Sequence, residues 1–145
     1  MMEEKEKAWK TVSSKYLFRR PWLTVRCEDM LLPNGNHIPE YYILEYPDWV
    51  NTIAITKDGK FVFVRQYRPG LGRTSYELCA GVCDKEDASP LVSAQRELWE
   101  ETGYGKGNWQ EYMVISANPS THTNLTHCFL ATDVEPIDHQ HLEDT

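Results

Sequence analysis

Apolar and β-branched residues along this chain fall into short bounded runs, interrupted once by a longer run of helical period. Residues 1–12 read as a short helical start, and from Lys15 the pattern turns to strands. Residues 22–32 are rich in strand formers. Pro33-Asn34-Gly35-Asn36 then carries the strongest hairpin signal, and the strand pattern returns over 37–46. Pro47-Asp48 reads as a boundary. Beyond it, 49–56 and 61–67 are strands joined at Lys57-Asp58-Gly59-Lys60, 69–73 is a glycine-rich loop, and 74–79 is a further strand. Residues 110–116 and 126–132 are two more strands, enclosing the polar loop 118–124. The residues after 132 show no clear helical period.

The helical run is Arg96-Glu97-Leu98-Trp99-Glu100-Glu101-Thr102-Gly103-Tyr104 with the residues before it. Ser89-Pro90 is a start signal, since the serine hydroxyl accepts from an orphan amide and proline tolerates the first helical position. Gly103 marks the stop. On a wheel, Leu91, Val92, Ala94, Leu98 and Trp99 take one arc, and Ser93, Arg96, Glu97, Glu100 and Glu101 the other. The three glutamates stand at i, i+3 and i+4, a spacing that costs a few tenths of a kcal/mol per like-charge pair. Two of them lie in the last turn, where an acid opposes the macrodipole by roughly 0.3–1 kcal/mol. A solvated acidic face and a cation site both fit the pattern. The unfavourable placement points toward the cation site, and oxygen ligands grouped this way suit Mg²⁺ or Mn²⁺.

This run resembles the signature of the Nudix hydrolases, G-x5-E-x7-R-E-U-x-E-E-x-G-U with U a bulky apolar residue. Gly81, Arg96, Glu97, Leu98, Glu100, Glu101, Gly103 and Tyr104 match it. The loop carries one extra residue, so the first glutamate of the signature falls at Asp87 or Ala88, and Asp87 or Glu86 is its substitute here. Tyr76-Glu77-Leu78-Cys79-Ala80-Gly81 is similar to the Y-E-L-P-A-G run of ADP-ribose and nucleotide-sugar pyrophosphatases, with Cys79 where proline is common. Arg65-Gln66-Tyr67-Arg68 is similar to their R-Q-Y-R strand, and Pro119 sits where they usually have a proline.

The resemblance implies an α+β fold. A Nudix α/β/α sandwich with a mixed sheet is expected over 49–145, with an antiparallel β-sheet appendage over 1–48. The helix that usually closes the sandwich is expected to be missing, as from a truncated form of a longer chain. It also implies a Mg²⁺-dependent hydrolase, with Mn²⁺ as substitute, that cleaves a nucleoside diphosphate sugar into a nucleoside monophosphate and a sugar phosphate. Glu97 and Glu101 are then the direct metal ligands with the Ala80 carbonyl. Glu100 completes the metal set or orients the attacking water, and Arg96 holds the glutamates in place. Arg65 and Arg68 are read as facing one way from their strand, with Arg68 the preferred phosphate contact. Glu77 touches substrate or bridges an arginine. No catalysis is assigned to His122 or His127. Related pyrophosphatases carry another glutamate after the Pro119 region, whereas Ser120, Thr121, His122, Thr123 and Asn124 offer no acid. The aromatic N-terminal segment exceeds what a small sheet buries alone and needs a partner surface, which its own Nudix core could supply. The resemblance implies instead a homodimer in which such N-terminal sheets pair across a two-fold axis and cover the substrate with aromatic residues.

A length of 145 residues with 41% apolar content suffices for one cored domain, or one with an appendage. The net charge of −7 argues against a nucleic-acid partner, whose phosphates need a basic footprint. The N-terminal residues are charged, with no apolar run for a membrane span. Cys27, Cys79, Cys83 and Cys128 form no CxxC pair and read as buried free thiols, which fits a reducing cytoplasm. The competing class is a non-catalytic Nudix-like nucleotide-sugar sensor; such proteins tend to lose the helical glutamates retained here. A Nudix hydrolase of another nucleoside diphosphate derivative is also open.

Overall fold

The computed structural model describes residues 7–140. The chain divides into two compact units, one running up to Tyr46 and including 117–124, the other made of 47–116 with the residues from 125 onward.

The first unit is an antiparallel meander of β1 (Lys10–Arg20), β2 (Leu23–Leu31) and β3 (His37–Glu45), in that order. The first strand begins at Lys10, so the helical start expected over 1–12 is corrected for residues 10–12, and residues 1–6 lie outside the described range. Thr11 and Val12 suit a pleated surface, and pairing of Lys10 with Leu31 and Thr11 with Met30 gives them one. The β2–β3 turn closes where expected: Leu32 N donates to Asn36 O at 2.8 Å, and Gly35 adopts φ 84°, which glycine takes without steric cost. Segment 117–124 runs along β3, with Leu44 N donating to Thr121 O and Thr123 N to Leu44 O. Every residue of β1 is exposed, Tyr16 and Phe18 among them, and Trp22 beyond it is 83% exposed.

The second unit is built on a mixed sheet. Its strands are β4 (Trp49–Thr56), β5 (Phe61–Val62), β8 (Cys79–Val82), β9 (Tyr104–Gly105), β10 (Asn108–Ile115) and β11 (Thr126–Pro136). The order is β10-β11-β4-β5, with β8 also paired to β4 and β9 to β11. Strands β11 and β4 run parallel, and the other pairs are antiparallel. Separately, β6 (Val64–Arg68) and β7 (Arg73–Glu77) form a two-stranded hairpin. Two runs read as single strands are therefore divided, at Phe63 and at Leu78. The last strand also continues past Thr132, with a register shift at Asp133 whose φ of 59° breaks the alternation.

Among the described residues there is one α-helix, α1 (Pro90–Thr102), packed on β8 and β4. Its core side chains Ala94 and Leu98 meet Val50, Ala54, Cys79, Phe129, Ala131 and Val134 from the sheet, all of them buried. The mixed sheet, the helix and the N-terminal antiparallel sheet together form the architecture expected from the resemblance.

Candidate active site

Local chemistry sets both ends of α1. Ser89, extended at φ −165°, accepts from Val92 N at 3.3 Å, and Pro90 follows it. Gly103 takes the left-handed conformation at φ 73°, and its amide donates to Trp99 O at 2.8 Å.

The face that α1 turns to the sheet differs from the one the wheel drew. Ser93, assigned to the polar arc, is fully buried with Ala94 and Leu98, while Leu91 and Val92 of the apolar arc are exposed. Positions 93, 97 and 101 share one face, so burying Ser93 draws Glu97 and Glu101 down toward β8. The acidic face is therefore not a solvated one.

Below it lies Gly81. A β-carbon built there would stand 2.1, 2.2 and 2.4 Å from the three carboxyl atoms of Glu97, so only hydrogen leaves room for that carboxylate. Glu101 accepts from the Ala80 amide at 3.2 Å, which sets its carboxylate beside the same strand. Desolvation pushes the Glu101 carboxyl up to about 7; the Glu97 charge adds to the rise, and the Ala80 amide and Arg68 oppose it. Glu97 is also raised, by burial first, against the pull of Arg96. Burial and Glu101 push the Cys79 thiol up to about 12, so it stays protonated.

Arg96 binds this region together with all five of its N–H donors. Nε and Nη2 donate to Asp87 Oδ2 at 3.1 and 3.0 Å, Nη2 to the Val82 carbonyl at 3.1 Å, and Nη1 to Glu97 and Glu100 at 2.9 Å each. Burial pulls its basicity down, but the three carboxylates hold it above the ordinary guanidinium value. Arg96 thus has every donor engaged within the protein. The loop geometry also separates the two substitutes for the first signature acid: Asp87 is bonded to Arg96, whereas Glu86 is exposed.

The arginine strand needs a correction. Side chains alternate along β6, so Arg65 and Arg68, three residues apart, point to opposite faces. Arg65 is exposed beside Tyr67 and across from Tyr76. Arg68 lies on the inner side, gripped by Glu77 through Nε at 2.9 Å and Nη2 at 2.6 Å. Ser75 Oγ donates to the same carboxylate at 3.1 Å, and these bonds hold Glu77 below its ordinary value, with Arg68 the larger cause. Glu77 is thus a bridge to Arg68. His127 is bonded to Glu111 at 2.6 Å, and His122 packs on Tyr46.

Among the described residues no three acidic, histidine or cysteine side chains close around one point as a ready metal cage. The donor set nevertheless fits a hard cation that keeps waters: two desolvated carboxylates one turn apart, with the backbone of Ala80 beside them. Sequence reasoning missed Ser93 and the close approach at Gly81. The i, i+4 spacing of Ser93 to Glu97 was the available signal for the first.

Comparison with known proteins decides the family, because residues 46–144 match the NUDIX domain model. The chain belongs to the Nudix family. Residues 9–44 match the nucleoside diphosphate sugar hydrolase N-terminal domain. The Nudix chain is 32% identical to the ADP-ribose pyrophosphatase of Bacillus subtilis (strain 168), across 89% of its own length and 69% of that protein. It is 33% identical to the methanol dehydrogenase activator of Bacillus methanolicus, across 84% of its length and 65% of the other. It therefore spans about two thirds of each relative. A solved structure described as an ADP compounds hydrolase shares the fold, with a TM-score of 0.82 and 23% identity over 94% of this chain and 74% of that one. Nudix hydrolases generally use divalent metals.

Proposed function

We propose that this chain hydrolyses the diphosphate linkage of a nucleoside diphosphate sugar such as ADP-ribose, releasing a nucleoside monophosphate and a sugar phosphate. The observation that carries this reading is the pair of desolvated carboxylates, Glu97 and Glu101, set over a glycine that leaves room for nothing larger. Two acids kept partly from water at the end of a helix call for a cation. Glu97, Glu101 and the Ala80 carbonyl would hold Mg²⁺, or Mn²⁺ in its place. The bound ion supplies charge neutralisation to the diphosphate and lowers the pKa of water.

Glu100, bonded to Arg96, is assigned to completing the metal set or orienting the attacking water. Arg96 positions the acids. Arg68, steadied by Glu77, is the proposed phosphate contact. Arg65, on the other face of β6, can join the substrate set only by way of the exposed surface it shares with Tyr67 and Tyr76. The match of 9–44 to a sugar-hydrolase N-terminal domain and the name of the Bacillus subtilis relative support the substrate class.

The N-terminal unit is assigned to homodimer formation and substrate covering, supported by its exposed Tyr16, Phe18 and Trp22. Four free thiols suit the cytoplasm. No helix among the described residues is long and apolar enough to cross a membrane.

The test incubates the protein with Mg²⁺ and ADP-ribose, GDP-mannose, UDP-glucose, diadenosine polyphosphates and nucleoside triphosphates, with Glu97→Gln/Glu101→Gln as control. Metal-dependent release of a monophosphate from a nucleotide sugar, absent in the control, is the expected result. Exclusive turnover of triphosphates or dinucleoside polyphosphates would assign another substrate, and tight binding of a nucleotide sugar without turnover would assign a sensor. Light scattering at micromolar protein reads the dimer.

A further inference from the structure

Ser93 is polar, has no solvent exposure, and belongs to no position of the family signature. Its Oγ donates to Asp87 Oδ2 at 2.8 Å, the same oxygen that accepts from Arg96 Nε and Nη2. Arg96 passes the connection on through Nη1 to Glu97 and Glu100. A continuous line of hydrogen bonds therefore runs from the core-facing side of α1, through the β8–α1 loop, to two of the proposed working acids.

The loop explains why this chain needs it. Asp87 reaches Arg96 from a segment one residue longer than the family pattern and with one methylene less than glutamate. A short acid on a longer loop has more ways to miss its partner, and a donor fixed on the helix removes them. We infer that Ser93 is a positioning residue for hydrolysis, acting through Asp87 and Arg96 to fix Glu97 and Glu100. The assignment rests on the hydrolase reading for what those glutamates do, while the hydrogen-bond line itself can be measured without metal or substrate.

The first measurement is the exchange of the Arg96 Nε–H proton by nitrogen-edited NMR of metal-free protein. Slow exchange is expected in the wild type and in Cys83→Ala, which alters a neighbour of the Ser93 hydroxyl, with at least about tenfold faster exchange in Ser93→Ala. Unchanged exchange in Ser93→Ala overturns the inference. The second is a double-mutant cycle on turnover of the substrate found by the panel. Ser93→Ala is expected to lower kcat about tenfold with KM changed less than about twofold, and Ser93→Ala/Asp87→Asn to be no slower than Asp87→Asn. Losses that multiply would show that Ser93 acts independently of Asp87 and would also overturn it. Absence of turnover with every compound sinks the substrate reading alone, and the proton exchange then decides the line.

Discussion

Substituting Gly81 with alanine separates the fold from the site. The new methyl would stand 2.1 Å from the Glu97 carboxyl carbon, so that group must retreat by about 1.3 Å to reach the 3.4 Å of ordinary contact. All three clashing atoms are the far end of one flexible side chain, tied only to another side chain, Arg96, so the carboxylate yields and the strand stays. Gly81 lies in β8, in register with Val50, and its backbone is not in the left-handed region. Alanine even loses less conformational freedom than glycine in a strand, by roughly 0.5–1 kcal/mol. Stability by urea denaturation in EDTA should therefore change by less than about 1 kcal/mol. A displacement of about 1 Å at a charge-positioning group is worth about 10²-fold in rate. The expected result is a folded variant with kcat reduced about 10²-fold and weakened Mn²⁺ binding by calorimetry. Wild-type turnover and metal affinity would refute the reasoning, and so would an unfolded variant, which would mean that the backbone gives way first.

Three further outcomes follow from the same geometry. The Glu101 carboxyl rises from 4.5 in the unfolded chain to about 7 in the fold, so between those values the unfolded chain releases its proton first and the metal-free protein loses stability as pH rises. Glu101→Gln should remove that loss. A rise of this size corresponds to about 3 kcal/mol, and solvent screening of a half-buried group reduces it, so the EDTA-treated variant should be more stable than wild type by on the order of 2 kcal/mol at pH 8 and no different at pH 4, while losing activity. A urea-denaturation gap that does not open across this window refutes the assignment of the charge. Ser89→Ala removes the helix N-cap and should cost about 1 kcal/mol, read as a lower melting temperature. Gly103→Ala must adopt φ 73° and meet the Asp138 carbonyl, a backbone atom that cannot swing aside. It should destabilise by more than the roughly 1 kcal/mol cost of the left-handed conformation, and an unchanged melting temperature would show that the segment 137–140 shifts freely.

Much of the site was legible because its determinants are local. Ser89, Pro90 and Gly103 act on backbone groups within one turn, and the spacing of Glu97, Glu100 and Glu101 lies in the helix itself. Hairpin turns at Gly35 and Gly59 are equally local, since a positive φ is a property of the residue that holds it. The start of β1 at residues 10–12 was not, because Lys10 and Thr11 become a strand only by pairing with Leu31 and Met30. The breaks at Phe63 and Leu78 likewise depend on which neighbour each half pairs with.

Sequence by itself therefore determined the family signature, the ends of the helix and the acids on it. Tertiary structure decided which face of that helix is buried. A wheel ranks faces by hydrophobicity, whereas packing chose the stripe of Ser93, Ala94, Leu98 and the two glutamates, because Gly81 opens space for Glu97 and the Ala80 amide receives Glu101. Tertiary structure also decided that Asp87 rather than Glu86 reaches Arg96, and that Arg68 rather than Arg65 turns inward. Those choices depend on pairings between elements, the β8–α1 loop against α1 and β6 against β7, whose hydrogen bonds and desolvation exist only once the elements have folded against each other.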